Sequence, residues 1–597
     1  MKIIKKIFEL LTPEERKKSY LLFVLILTMA LLDTLGIASI FPFMSLLTNP
    51  ELIETNILLN NLYTVAVKFG VNNVDDFILI LGVLTFVLLI LSLSVKALTA
   101  YTQLRFTLMR EFSIGKRLIE GYLHQPYSWF LSKNSATLGK SILSEVNLVI
   151  YGSIIPIMNL IAQGTVALAI ITLIVIVDPI LAFRVGFVIS ICYIIIFLVL
   201  KNLVSRIGLE RLRDNELRFN IVSEAFGAAK EVKFGGLEKI YIDRFEIPAK
   251  NYAKNLSLVQ IISQLPRHFL EGIAFGGMIL VSSILVVSGK DFNNIIPILS
   301  LYAFAGYRLI PALQQVYGSV TQLNFSTPAL YSLNEDLMNL KFKEPPIKKN
   351  EDIKLNKQIN FKNIFYKYPN SDKFVLNDIS LNITVNSKIG IVGSTGGGKT
   401  TMVDILLGLL TPTKGKILVD DNDITPSNIR SWQKTIGYVP QQIYLSDDTV
   451  ASNIAFGVEL KNIDYKALEK AAKIANLHDF VTSELSDGYA TIIGERGVRL
   501  SGGQRQRIGL ARSLYHKPQI LILDEATSSL DNITEKMVIE EINNIPEKIT
   551  VIIVAHRLST VKNCDKIFLL EKGKLKIEGN YEELLDKSVD FKKLNLI

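Results

Sequence analysis

What this chain can fold into is constrained most by a set of apolar runs, all before residue 308, that contain no Asp, Glu, Lys or Arg. They cover residues 19–32 and 34–50 on either side of Asp33, then 77–95, 146–177, 185–200, 272–289 and 292–307. Runs of about 16 or more such residues match the ~30 Å of hydrocarbon a helix must cross, and Gly, Ser and Pro are tolerated within them. Six spans are therefore expected, near 19–47, 77–100, 147–177, 180–204, 257–289 and 293–320. At ~1.5 Å per residue the run 146–177 makes a helix of ~48 Å, which should project beyond the bilayer. A chain of 597 residues could hold about four soluble domains, but a mean hydropathy of +0.33 argues against that arrangement. Its two cysteines, Cys192 and Cys564, exclude a disulfide framework or a zinc site within one chain.

Charge placement gives the orientation. Residues 1–340 carry 29 Lys+Arg and 24 Asp+Glu, and residues 341–597 carry 36 and 32, so the net +9 divides as +5 and +4. Neither part is a basic block, and no nucleic-acid partner is expected. Six basic residues precede position 19, seven lie in 96–145 and eleven in 201–254, whereas the intervening loops hold Lys68, Lys290 and Arg184. With both termini cytoplasmic, 24 basic residues face inward against about three outward. The first run contains Asp33 and lacks a small-residue cleavage site, so no cleavable signal is expected.

Residues 50–76 are too long for a simple turn between two spans. Leu58, Leu59, Leu62, Tyr63, Val65, Val67 and Phe69 form one apolar side, which suits either a short interfacial helix ending at Gly70 or a loop packed on the spans. Segment 341–357, with its charges and Pro345-Pro346, reads as a solvated linker. Beyond it, short β-branched strands (Ile389–Val392, Ile436–Val439, Ile520–Leu523, Thr550–Val554) alternate with helical stretches. The expected fold is thus an all-α six-helix membrane domain over 1–340 followed by an α/β domain over 358–597.

The α/β part carries a phosphate-handling constellation. Strand 388–392 leads into Gly393-Ser394-Thr395-Gly396-Gly397-Gly398-Lys399-Thr400-Thr401, a G-x-x-x-x-G-K-[ST] loop. Its glycines let successive backbone N–H groups converge on phosphate oxygens at a helix N-terminus. Lys399 is placed for the β- and γ-phosphates and Thr400 for Mg²⁺. Asp524 ends the apolar strand 520–523 and suits Mg²⁺; its neighbour Glu525 suits orienting or deprotonating a water. Ser501-Gly502-Gly503-Gln504 opens another helix, with Ser501 as N-cap.

Together these residues resemble the nucleotide-binding domain of ABC transporters, and the remaining motifs of that family follow. Tyr368 corresponds to the aromatic that stacks on adenine, Gln441 to the Q-loop glutamine near Mg²⁺ and the water, and Glu495 to the exporter-type X-loop. Ser528-Ser-Leu-Asp531 matches the D-loop and His556 the switch histidine. The resemblance implies binding of ATP with Mg²⁺ and hydrolysis by Glu525, His556 and Gln441. In the family the P-loop of one domain faces the signature segment of another. One copy of each per chain therefore implies a homodimer. Six spans before this domain resemble exporter-class half-transporters, whose cytoplasmic loops contact the ATPase; the candidates are Gln125–Phe130 and Ser223–Gly227. The six spans argue against a soluble ABC ATPase acting on DNA or ribosomes.

The cargo is approached through charges inside the spans. Lys96, Arg267 and Arg308 come from three different helices and could line a cavity for an anionic group such as a pyrophosphate. Alternatively, Lys96 snorkels and Arg267 pairs with Glu271 one turn on. The segments Leu265–Gly272 and Tyr307–Pro311 resemble PglK-type flippases. That resemblance implies a polyprenyl-pyrophosphate-linked oligosaccharide moved across a bacterial inner membrane, with an external helix near 57–70 engaging the lipid tail. An exporter of peptides, drugs or other lipids is the competing reading.

Overall fold

The computed structural model describes residues 2–55, 57–68, 71, 73–177, 179–287, 292–340, 353–369, 371–525, 537, 540, 549–555 and 557–594. It divides into two compact units, one of residues 1–125 and 133–342, the other of 126–132 and 343–597.

The first unit is helical. Pro13–Ala38 and Ile40–Thr48 are separated at Ser39, whose hydroxyl donates to the Gly36 carbonyl at 2.8 Å. Thr12 caps the first of these in a reciprocal arrangement with Glu15. The long helices Val74–Leu123, Pro179–Gly227, Glu238–Val287 and Phe292–Asn339 run for 50, 49, 50 and 48 residues. At ~1.5 Å per residue each is ~70–75 Å, far longer than a bilayer needs. Among the described residues, Pro13–Thr48, Val74–Leu123 and Ser135–Ile176 are long and apolar enough to cross a membrane.

The Ser135–Val177 stretch is not a uniform α-helix. Ser141–Glu145 and Ile150–Ile154 are π-helical turns, and each sits against a polar partner. In the second turn the Ser326 hydroxyl donates to the Gly152 carbonyl at 2.5 Å and lies 2.7 Å from the Ser153 hydroxyl. A Cβ at Gly152 would come 2.6 Å from that of Ser326, and one at Gly208 would lie 2.3 Å from the Phe325 carbonyl oxygen. Small residues thus let three helices meet at backbone distance, as apolar segments in lipid require. In the first π turn, buried Glu145 takes Arg211 at 2.6 Å and the Asn215 amide at 2.8 Å.

Residues Ile57–Lys68 are helical. Leu59 packs with Leu46, Ile53, Val71, Phe77 and Leu81, and the Tyr63 ring meets Phe77 edge-on at 5.2 Å, while Leu62 and Val65 stay exposed. The segment therefore both packs on its neighbours and presents an apolar outer face.

The second unit contains two sheets. Strands β1 (Gln358–Tyr366), β2 (Leu376–Thr384), β4 (Lys414–Val419) and β5 (Asn422–Asp423) form an antiparallel sheet in the order β2-β1-β4-β5. The other sheet runs β10-β9-β3-β8-β7-β6, with β3 Lys388–Gly393, β6 Ile436–Val439, β7 Ile520–Asp524, β8 Thr550–Val554, β9 Lys566–Glu571 and β10 Lys574–Gly579. Strands β9, β3, β8, β7 and β6 are mutually parallel and β10 is antiparallel. Burial on both faces explains why β7 and β8 read as unbroken apolar runs. Residues 353–357 differ from the expected solvated linker: Ile353 and Leu355 are buried in the core beneath β1, and the Leu355 amide donates to Gln519 at 3.1 Å. Their alternation within a charged stretch is that of a chain laid on the domain.

Candidate functional site

The order β3-β8-β7 builds the ATPase site. Ile391 pairs with Val554 and Val554 with Asp524, so residues far apart in sequence lie in one row at the carboxyl edge of a parallel sheet. That edge is where open α/β sheets hold ligands. The loop after β3 turns there, and Gly393 is required because a Cβ would lie 2.0 Å from the Leu570 carbonyl oxygen. Gly398, at φ 98°, is the N-cap of the Lys399–Leu406 helix, a left-handed conformation that suits glycine. Ser394, Thr395, Gly396 and Thr400 are exposed along the loop, while Gly397 is buried. Buried Lys399 donates to the Gly393 and Ser394 carbonyls at 2.8 and 3.1 Å. Burial pulls its ammonium below the usual lysine range, partly offset by Glu525 and Asp524.

Asp524 is buried at the end of β7 and accepts a long hydrogen bond from the Tyr438 hydroxyl at 3.4 Å. Glu525 has left-handed backbone at φ 51°, its amide donates to the Val554 carbonyl at 3.0 Å, and its carboxylate accepts from the Gln441 side-chain amide at 2.7 Å. A non-glycine residue in this conformation persists only where its surroundings impose it. The Tyr368 hydroxyl lies 3.1 Å from that of Thr401, and its ring meets Tyr366 edge-on. Ser501 caps the Gly502–Tyr515 helix with Gln504 returning the bond, so Ser501, Gly502, Gly503 and Gln504 form an ordered helix start. Glu495 opens the short 3₁₀ turn Glu495–Gly497. Asp531 and His556 lie outside the described residues.

Two participants, Asp404 and Tyr438, were missed in the sequence, whereas Tyr127 lies in the singled-out segment Gln125–Phe130. Asp404, on the helix after the loop, is partly buried near Asp524, and both effects push its carboxyl up to about 6. Tyr438 reaches Asp524. Residues 126–132 belong to this second unit, where burial, Asp404 and Tyr368 raise the Tyr127 hydroxyl's pKa. A Tyr within Tyr438-Val-Pro-Gln441 was visible, but its aim depends on β6 pairing with β7. Ser223–Gly227 ends its long helix in the first unit.

The residues present fit Mg²⁺. The Asp524 carboxylate and Thr400 hydroxyl supply hard oxygens, and the Asp404–Asp524 proximity leaves negative charge that a divalent cation relieves. Among the described residues, no group of three or more His, Cys, Asp or Glu is placed to hold a metal ion.

Asp404 yields a pH prediction. Its folded pKa of about 6 exceeds the usual 3.8, so the stability it lends is complete below about pH 4 and is lost as pH rises through about 6. Asp404→Asn should therefore gain on wild type across that window by ~1–2 kcal/mol after allowance for screening. Thermal unfolding of the full chain at pH 4.5 and 7.5 checks this, and a gap that does not widen with pH rejects the assignment.

The membrane unit has a second polar site. Asp33, 2% exposed, accepts from the Ser92 hydroxyl at 3.0 Å and faces Arg308 at 3.6 Å and Lys96 at 4.0 Å. Two of the three sequence-chosen cations thus converge on one acid. Arg267 is 55% exposed and bound instead to Glu271 at 2.7 Å, one turn along its own helix. Among the described residues, no ion pair or hydrogen bond joins it to the pair.

Residues 52–306 match the family described as ABC transporter transmembrane region, and residues 376–528 the family described as ABC transporter. The chain belongs to the ABC transporters, and it joins the membrane region and ATPase domain of an exporter half-transporter. It is 32% identical over 417 residues to the heterocyst differentiation ATP-binding protein HepA of Nostoc sp., covering 68% of this chain and 67% of that one. It is 33% identical over 389 residues to an ATP-dependent lipid A-core flippase of Wigglesworthia glossinidia brevipalpis, covering 63% and 64%. The structure of a bacterial Atm1-family ABC exporter with ATP bound superposes with a TM-score of 0.74 at 21% identity, over 95% of this chain and 98% of that chain. The matched stretch is thus about two thirds of the length of each of these two curated relatives.

Proposed function

We propose that the chain is an ATP-driven flippase for a polyprenyl-pyrophosphate-linked oligosaccharide in a bacterial inner membrane, with both termini cytoplasmic. The observation that carries the reading is the pair Lys96 and Arg308, brought from two helices to a single acid within the membrane unit. Charges within spans are costly and mark candidate ligand sites, and two cations sharing one acid suit a phosphate-bearing headgroup. Likeness to a protein named as a lipid A-core flippase supports a lipid cargo. Arg267, already paired with Glu271, carries less of the argument.

ATP would be bound between two copies, Gly393–Thr401 of one facing Ser501–Gln504 of the other, with Tyr368 stacking on adenine. Mg²⁺ neutralises phosphate charge when bound. Thr400, Asp524 and Gln441 would hold it, Glu525 would take a proton from the attacking water, and Gln441 would orient Glu525. His556 and Asp531 would complete the site. Closure of the paired ATPase domains favours the outward-facing membrane state because ATP binds the closed form better.

Reconstitution of the full chain into liposomes tests the cargo, with a pyrophosphate-linked glycolipid and a peptide mixture offered separately. The glycolipid should be moved and should stimulate ATP hydrolysis; Arg308→Gln and Lys96→Gln should each slow its transport roughly tenfold or more, the usual weight of a charge-assisted contact. Transport of peptides but not glycolipid overturns the reading.

A further inference from the structure

We propose that Asp33 is a resident counter-anion of the membrane cation pair, which holds Lys96 and Arg308 ready between transport cycles and competes with the cargo's phosphate for them. The inference rests on the anionic cargo proposed above, though it needs only the phosphate and not the glycan.

Asp33 is 2% exposed, whereas the Arg308 and Lys96 side chains are 18% and 34% exposed. The acid is the enclosed member of the trio and the cations are the more accessible ones. The pairs are also loose. Contacts of 3.6 and 4.0 Å exceed the ~2.7–2.9 Å of a committed charge-assisted bond. Elsewhere in the same unit Arg211 meets Glu145 at 2.6 Å, with Asn215 completing the acid's partners. Asp33 is less fully engaged: Oδ1 accepts from Ser92, and Oδ2 accepts no hydrogen bond among the described residues. An ion pair built for rigidity would look like Glu145–Arg211.

The charge balance points the same way. Two cations and one carboxylate leave a net +1, enough to attract a phosphate while neither cation is left in an apolar setting without a counter-charge. Asp33 lies on Pro13–Ala38, Lys96 on Val74–Leu123 and Arg308 on Phe292–Asn339. A phosphate that replaces Asp33 as the shared anion frees the first helix from the other two, and when the phosphate leaves, Asp33 restores the pairing. Asp33 thus limits affinity and speeds release. Ser92, donating to Asp33, positions it.

The test uses the full-length protein in liposomes, with ATPase stimulation by farnesyl pyrophosphate as readout and uncharged farnesol as control. Asp33→Asn should lower the half-stimulating concentration of farnesyl pyrophosphate about tenfold and reduce the maximal stimulated rate, because release slows. Ser92→Ala should shift it in the same direction by about two- to threefold, and it decides the matter if Asp33→Asn does not fold. Adding Lys96→Gln to Asp33→Asn should reverse the shift, and any farnesol response should stay unchanged. Should wild type move the pyrophosphate-linked glycolipid while both variants keep the wild-type half-stimulating concentration, the counter-anion role is overturned and the flippase reading stands. Should wild type ignore farnesyl pyrophosphate but respond to phosphatidic acid vesicles, with the same shifts in both variants, the counter-anion role stands and the prenyl-pyrophosphate cargo falls. No response to either anionic lipid overturns both.

Discussion

Replacing Glu525 with Gln is expected to leave ATP binding intact and to cut turnover by about 10²–10⁴-fold, the usual weight of a positioned general base. The binding loop keeps its hydrogen bonds in this variant, since Lys399 donates to the Gly393 and Ser394 carbonyls. Glutamine preserves the shape and still offers an oxygen to the Gln441 amide, which donates to Glu525 at 2.7 Å. What it removes is the capacity to take a proton at the carboxyl edge of the sheet. Phosphate release by the reconstituted chain, measured beside binding of a fluorescent ATP analogue, separates the two effects. Turnover within twofold of wild type would remove Glu525 from the catalytic role.

The largest stability effect is expected in the membrane unit. Arg211, 2% exposed, bonds Glu145 at 2.6 Å and Tyr252 at 3.3 Å, and its guanidinium lies 5.1 Å from the Tyr252 ring centre. Arg211→Ala leaves Glu145 buried without a counter-charge, a change that costs about 3–5 kcal/mol. Exchanging both residues together, as Glu145→Leu with Arg211→Met, should restore most of the loss, because paired apolar groups of similar size need no compensation. Both tryptophans, Trp129 and Trp432, belong to the second unit. Their fluorescence should therefore keep its melting midpoint while helical circular dichroism is lost at a lower temperature. An unchanged dichroism midpoint in Arg211→Ala would show that the pair contributes little.

Legibility from sequence followed the range of the physics involved. The loop 393–401, the cap Ser501 with Gln504, and the acids 524 and 525 depend on backbone geometry over a few residues, so their residue types betray them. Long charge-free runs betray helices for the same reason, because each must satisfy its backbone internally. The Arg267–Glu271 pair was visible because i and i+4 share a helix face. Periodicity carries no trace of the π-helical turns at 141–145 and 150–154, which answer partners on other helices. Residues 353–357 were masked by charged neighbours, although Ile353 and Leu355 pack into the domain core.

Asp33 shows the division best. In the sequence it was an interruption in an apolar run, and Lys96 and Arg308 were two cations with no evident partner. Composition and local pattern sufficed to establish a membrane part, an ATPase part and the residue types able to handle phosphate. Which charges meet was settled by helix packing, since residues 33, 92, 96 and 308 come together on three helices that no short-range rule relates. Likewise the row Ile391, Val554, Asp524 exists only because β8 inserts between β3 and β7. Local chemistry is written in neighbours along the chain, whereas a site is an agreement between distant segments, and burying their apolar faces is what brings them into register.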